Sequence, residues 1–194
     1  SGMWMDKHIR KILFEKAGVS TAPWVRIAAG NKFSPDQLTA LGFPLVIKPN
    51  DQGSTVGLTI VKELSEVKTA IEKAFKFSQT VLAEKFIAGR EMTVAILDQD
   101  PLPVIEIIPQ HGIYDYECKY QKGKSQYIVP AKIPAPITSR LKNLALLAYQ
   151  ALGCRHYARV DFRLSEDHKP FCLEVNTLPG MTATSLVPKA AKAV

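Results

Sequence analysis

The sequence predicts an α+β protein with mainly antiparallel sheets, and three observations carry that expectation. Residues Ala158–Leu164 and Phe171–Asn176 alternate apolar and polar side chains on either side of the short polar stretch Ser165–Lys169, the pattern of a half-buried hairpin. Leu45–Lys48 and Leu58–Val61 read as two more strands around a small polar loop. Between the strands lie two stripes with helical spacing, Val67, Ala70, Ile71, Ala74 and Phe75, and Leu141, Leu144, Ala145, Ala148 and Leu152.

The 194 residues suffice for one large domain or two small lobes, and 46% hydrophobic with 22% charged residues is ordinary globular composition. A net charge of +7 suits an anionic partner, but the basic residues are scattered without interleaved aromatics, which argues against a dedicated nucleic-acid module. Cys118, Cys154 and Cys172 are odd in number and lack metal-ligand spacing, so a reducing, cytoplasmic setting is expected. No apolar run approaches membrane-spanning length, and no signal peptide is evident. Ser1-Gly2 ahead of Met3 reads as a remnant of tag removal, so residues 1–3 are set aside.

The elements follow in order. A first helix is expected from Met5 to Ala17, with Ile9, Ile12, Leu13, Lys16 and Ala17 as its stripe and Gly18 as its stop. Trp24–Ala28 reads as a strand. Ser34-Pro35-Asp36-Gln37 has the composition of a capping box with proline at the first helical position, ending at Gly42. The strand Leu45–Lys48 delivers a lysine beside the loop Asn50–Gly57, where glycines allow close backbone approach and free N–H groups form an anion nest. Phosphate suits that loop, but taken alone an ordinary hairpin loop with a surface lysine is the better reading, because glycine-serine loops are common.

Ser65 is placed to cap the next helix, which runs to about Phe77. Thr80–Glu84 and Glu91–Leu97 are strands joined by Lys85–Arg90, followed by a turn at Asp98–Asp100 and a returning strand, Leu102–Ile108. Acids flanking an apolar linker fit a purine amine and ribose hydroxyls; taken alone, Glu84 and Glu91 read as solvated charges. Residues 110–126 are long, polar and tyrosine-rich, which suggests a lid. Ile133–Pro136 reads as a spacer, Thr138 as a helix start, and Ser185–Val194 as a final helix.

Counting outward from a turn between Asp167 and His168 sets Asp161 opposite Glu174 and Arg159 opposite Asn176. Val160, Phe162, Leu164, Leu173 and Val175 then face a core. The two acids and the amide suit Mg²⁺, a hard cation that takes oxygen donors, but a sheet face of charged pairs accounts for the same residues.

Several segments, taken in order, are more specific than any one alone. They are Lys7, Val46–Pro49, the glycine-serine loop, Glu84–Ile87 with Glu91, Tyr114–Glu117 with Lys119-Tyr120, Ala158–Phe162, and Glu174–Thr182. Together they resemble the ATP-grasp superfamily and, within it, the D-alanine:D-alanine ligase family. The resemblance implies two α+β lobes, about 4–88 and 89–194, with a nucleotide between them and the lid at about 110–126. The family's N-terminal substrate domain has no counterpart in this sequence.

The resemblance also implies roles. Lys7 and Lys48 would contact ATP and its phosphates, Glu84 the adenine amine together with the backbone of Lys85 and Ile87, and Glu91 the ribose. Lys119 would hold the transferred phosphate. Asp161, Glu174 and Asn176 would bind two Mg²⁺, with Mn²⁺ as a substitute. Arg159 and the Gly180 N–H would stabilise charge at the reacting carboxyl, Ser185 would hold the acceptor carboxylate, and Ser54 with Tyr120 would close the site. Tyr120 favours an amine acceptor.

The implied activity is ATP-dependent ligation of two D-alanines for peptidoglycan, in the cytoplasm, by an enzyme that is a homodimer at full length. This chain is expected to bind Mg-ATP and to be catalytically incomplete. The competing readings are another carboxylate-amine ligase and a non-catalytic nucleotide-binding module.

Overall fold

The computed structural model of the protein describes residues 6–30, 33–53, 55–109 and 125–194. The chain forms two compact units, Ser1–Lys11 with Ala22–Phe86, and Ile12–Thr21 with Ile87–Val194. Helix α1 (Lys7–Lys16) contributes residues to both.

In the first unit, β1 (Trp24–Ala28), β2 (Leu45–Pro49), β3 (Thr59–Val61) and β4 (Thr80–Lys85) form an antiparallel sheet in the order β1-β4-β2-β3. Successive strand residues point to opposite faces. Leu45, Ile47, Val81, Ala83 and Ile27 therefore share one face. That face packs on Leu38 of α2 (Pro35–Leu41) and on Val67, Ala70, Ile71 and Ala74 of α3 (Leu64–Phe75). The opposite face carries Lys48 and Glu84, on the neighbouring strands β2 and β4.

The second unit is built on a sheet in the order β10-β9-β5-β7-β8, with the short β6 paired to β5. Its strands are β5 (Arg90–Leu97), β6 (Asp100–Pro101), β7 (Ile105–Pro109), β8 (Ser125–Ile128), β9 (Tyr157–Leu164) and β10 (Pro170–Asn176). Met92, Val94, Ile96, Val160, Phe162, Leu164, Cys172 and Val175 pack with Leu141, Ala145 and Ala148 of α4 (Ala135–Ala151). On the other face Ala95, Ile105 and Ile107 lie under Leu186, Val187 and Ala190 of α5 (Leu186–Ala191). That short helix covers only part of the face, and the rest carries Glu91, Thr93, Arg159, Asp161 and Arg163 beside Phe171.

Several local expectations need correction. The buried positions of α1 are Arg10, Lys11 and Phe14; Ile9, Ile12 and Leu13 are only partly buried. The N-cap of α3 is Glu63, and Ser65 sits inside the first turn with its hydroxyl on Glu63 Oε1. Ser34 is the N-cap of α2 but makes no side-chain cap bond, and both Ser34 and Gln37 are exposed, where solvent can compete for their polar groups. Helix α4 starts at Ala135, three residues before Thr138, because a proline in the first turn costs no hydrogen bond.

The β9–β10 hairpin is tighter than the simple count. Its turn centres on Asp167, closed by Ser165 N–H to Lys169 O, with His168 in the left-handed region at φ 59°. Cys172 then pairs with Phe162, but Glu174 pairs with Asp161, so the register slips by one between them. This bulge puts Cys172 in the core and leaves Leu173 half-buried, against expectation. It also restores the pairs Asp161–Glu174 and Arg159–Asn176.

Gly89 joins the connector to β5 at φ 125°, and a Cβ there would lie 2.1 Å from Leu164 O. Backbone cannot give way as a flexible side chain can. Gly89→Ala is therefore expected to cost about 3 kcal/mol in a urea unfolding experiment. A loss below about 0.5 kcal/mol, within the ordinary surface range, would show that the connector relaxes freely.

Candidate functional site

On the polar face of the first unit, Glu84 is 4% exposed and lies between two lysines. Lys48 Nζ is 2.8 Å from Oε1, and Lys11 Nζ is 3.5 Å from Oε2 and donates to Ala22 O at 3.0 Å. Burial pushes the Glu84 carboxyl up, but the charges of Lys48 and Lys11 outweigh that and hold it below its ordinary value of 4.5. Lys11 was not among the expected site residues. Its signal in the sequence is its position four residues after Lys7, on the same side of a helix.

Lys7 itself is tied to the loop after β2. Its Nζ donates to Asn50 O at 3.3 Å and to Gln52 O, and its N–H also meets Asn50 O. Asn50 Oδ1 accepts the His8 N–H at 2.8 Å. The helix start and the loop are thus one hydrogen-bonded piece. Gly57 closes that loop at φ 71°, where a Cβ would lie 2.7 Å from Pro49 Cγ. Ser54 lies outside the described residues.

The Lys85 N–H donates to Pro23 O at 2.9 Å. Proline has no N–H to return, so the ladder leaves the Lys85 carbonyl without that donor. The Ile87 carbonyl, in the second unit, accepts Arg163 Nε at 3.1 Å.

The second unit's polar face is a chequerboard of charge. Asp161, 5% exposed, accepts Arg159 Nε on Oδ1 at 2.9 Å and an Arg159 terminal nitrogen on Oδ2 at 2.8 Å, a bidentate pair along one strand. Thr93, opposite Asp161 on β5, donates to Oδ1 at 2.6 Å. Glu174 is the cross-strand neighbour of Asp161, and Asn176 lies two residues further along β10 with Oδ1 accepting the Leu178 N–H. Glu91 pairs with Arg163, 3.3 Å apart. Thr93 and Arg163 were missed because only the β5–β9 register reveals them.

Among the described residues no three His, Cys, Asp or Glu side chains gather as a metal cluster. The group offered by Asp161, Glu174 and Asn176 is two carboxylates and an amide, all oxygen donors, which fits a hard divalent ion sharing its shell with phosphate.

The loop after β10 brings Gly180 to Ser185: a Cβ on Gly180 would sit 2.8 Å from Ser185 Oγ. Ser185 Oγ also accepts the Thr182 N–H at 3.2 Å. Lys119 and Tyr120 lie outside the described residues.

Two units on antiparallel sheets, one with a lysine-flanked loop and the other with an acid- and amide-bearing hairpin, match solved structures of the ATP-grasp fold. A D-alanine–D-alanine ligase from Bacillus anthracis superposes with a TM-score of 0.86 at 40% identity, covering 99% of this chain and 62% of that one. The structure of that organism's ligase complexed with ATP gives 0.85 at 36% identity, covering 99% and 61%.

A family profile described as the D-ala D-ala ligase C-terminus matches residues 13–194, and the chain belongs to that family. The D-alanine–D-alanine ligase of Halalkalibacterium halodurans is 46% identical over 100% of this chain and 65% of its own length. That of Methylacidiphilum infernorum is 46% identical over 97% and 60%. This chain thus spans a little under two thirds of these relatives. No helix among the described residues is long and apolar enough to cross a membrane.

Removing one member of a buried charge group leaves the others uncompensated. Glu84→Gln is expected to cost about 3–5 kcal/mol at neutral pH. Because the folded pKa is depressed, Glu84's contribution is full above its ordinary value of 4.5 and is lost as pH falls through the folded value. The stability gap between wild type and variant should therefore close on acidification below 4.5, read by denaturant titration; a pH-independent gap would contradict the ionised triad.

Proposed function

We propose that this chain is the ATP-binding portion of a D-alanine:D-alanine ligase, which joins two D-alanines for peptidoglycan at the expense of ATP. The observation that carries the reading is the Asp161–Glu174 pair with Asn176 and Arg159 on one sheet face, within a chain matched to this family from residue 13 to 194. A structural neighbour solved with ATP supports the nucleotide.

In this reading Lys7 and Lys48 hold phosphates, while Glu84, the Lys85 carbonyl and the Ile87 N–H meet the adenine edge. Glu91, steadied by Arg163, takes the ribose. Asp161, Glu174 and Asn176 hold Mg²⁺, which when bound supplies positive charge to the phosphate oxygens. Lys119, Tyr120 and Ser54 complete the set on the family pattern. A cytoplasmic setting and a homodimeric full-length enzyme belong to the same proposal.

The chemistry follows from the side chains. A carboxylate resists attack until its oxygen carries a phosphoryl group, so the first D-alanine takes the terminal phosphoryl of ATP and ADP is formed. The amine of the second D-alanine then attacks the acyl carbon, and phosphate leaves as the peptide bond forms. Negative charge gathers on the acyl oxygen during that attack. Arg159 and the Gly180 N–H are the donors for it. Ser185 orients the acceptor by its carboxylate, and no side-chain nucleophile is required.

Saturating Mg-ATP is expected to raise the melting temperature of the 194-residue chain by roughly 5–10 °C, which corresponds to about 2.7 kcal/mol at a hundredfold excess over Kd. Glu174→Gln should remove most of that shift, and an unchanged shift would overturn the metal assignment. D-alanine-dependent phosphate release by this polypeptide alone should be slight. A turnover comparable to that of a ligase carrying the further third found in the relatives would show that the 194 residues suffice.

A further inference from the structure

The roles proposed above set Lys48 and Glu84 different tasks, one on phosphate and the other on a base amine. Yet the structure pairs them at 2.8 Å. If Lys48 were Glu84's only counter-charge, each phosphate contact it made would weaken its hold on a carboxylate only 5% exposed. Lys11 removes that conflict. Its side chain is 5% exposed, it is anchored by the Ala22 carbonyl at 3.0 Å, and it approaches the other carboxylate oxygen, Oε2, at 3.5 Å.

Two cations around one carboxylate leave a net positive charge in a buried place. Lys48, at 14% exposed, is the one able to share that charge with an incoming anion. Its ammonium has three donors, so it can turn toward phosphate while Oε1 accepts a different donor.

Resting on the nucleotide reading above, we infer that Lys11 is a positioning residue for base selection. It holds Glu84 ionised and aimed independently of Lys48, so that the carboxylate selects a base with an exocyclic amine while Lys48 serves the phosphates. An ionised acceptor gains a charge-assisted hydrogen bond from the amine of adenine and repels a carbonyl at the same position. The discrimination resides in Lys11 because it is the partner that no phosphate draws away.

The test compares ATP with inosine triphosphate, which has a carbonyl where adenine has its amine. Dissociation constants in the presence of Mg²⁺ are measured by calorimetry on the wild type and on Lys11→Met. The wild type is expected to prefer ATP by at least about tenfold, and the variant's preference should fall to within about twofold. A Lys11→Met protein that keeps the wild-type ratio, even with a lowered melting temperature, overturns the inference, since a merely structural lysine would weaken both nucleotides alike.

Failure of the wild type to bind either nucleotide would instead defeat the nucleotide reading itself. Should Lys11→Met not fold, ¹⁵N-lysine NMR of the wild type decides. On ATP addition the Lys11 ammonium signal should persist nearly unshifted while that of Lys48 moves. A larger shift at Lys11 than at Lys48 would overturn the proposal.

Discussion

Strand β9 lies between β5 and β10, and its two ladders fix nearly every polar group of the second unit's working face. Asp161 meets Thr93 on one side and Glu174 on the other, while Arg163 meets Glu91 and Arg159 meets Asn176. A one-residue slip in either ladder would turn these groups into the core and bring Val160 and Phe162 out. The apolar packing of Val160, Phe162 and Leu164 on α4 therefore does two things at once. It stabilises the unit, and it holds the register that sets two carboxylates side by side.

Carboxylates so close repel unless something compensates. Here Arg159 lies two residues from Asp161 on the same strand and grips both of its oxygens, while Thr93 adds a third hydrogen bond from β5. Asp161 and Glu91 are thus paired with Arg159 and Arg163 from within the sheet rather than by mobile surface groups. The first unit solves the inverse problem with the same economy: one acid, Glu84, compensates two lysines, and the residual charge is positive.

How much of this was legible in the sequence depends on the range of the determining interaction. Alternation along β9 and β10 and the glycine stops of α1 and α2 are local, and the strands and helices they announce are present. The pairing of Asp161 with Glu174 came out right from a count that omitted two features, a turn centred half a position earlier, which shifts the register by one residue, and a compensating bulge at Leu173. Their offsets cancel, so residues past the bulge were placed correctly while Leu173 and Cys172 exchanged faces. The contributions of Lys11, Thr93 and Arg163 depend on contacts between residues 68 to 76 positions apart in the hydrogen-bonded cases of Thr93 and Arg163, and no periodicity encodes those.

The α1 stripe failed for a related reason. Hydrophobic spacing favours Ile9, Ile12 and Leu13 as the buried face, yet Arg10 and Lys11 are more deeply buried than any of them. A helix pattern treats lysine as solvent-facing because burying an isolated ammonium is costly. It stops being costly once a carboxylate and a backbone carbonyl are waiting at fixed positions, and Glu84 and the Ala22 carbonyl are those groups. The departure from the simple pattern therefore marks the buried Lys11–Glu84–Lys48 charge group of the first unit. A lysine buried against the hydrophobic rule indicates an acid held in its charged form, and here that acid is Glu84.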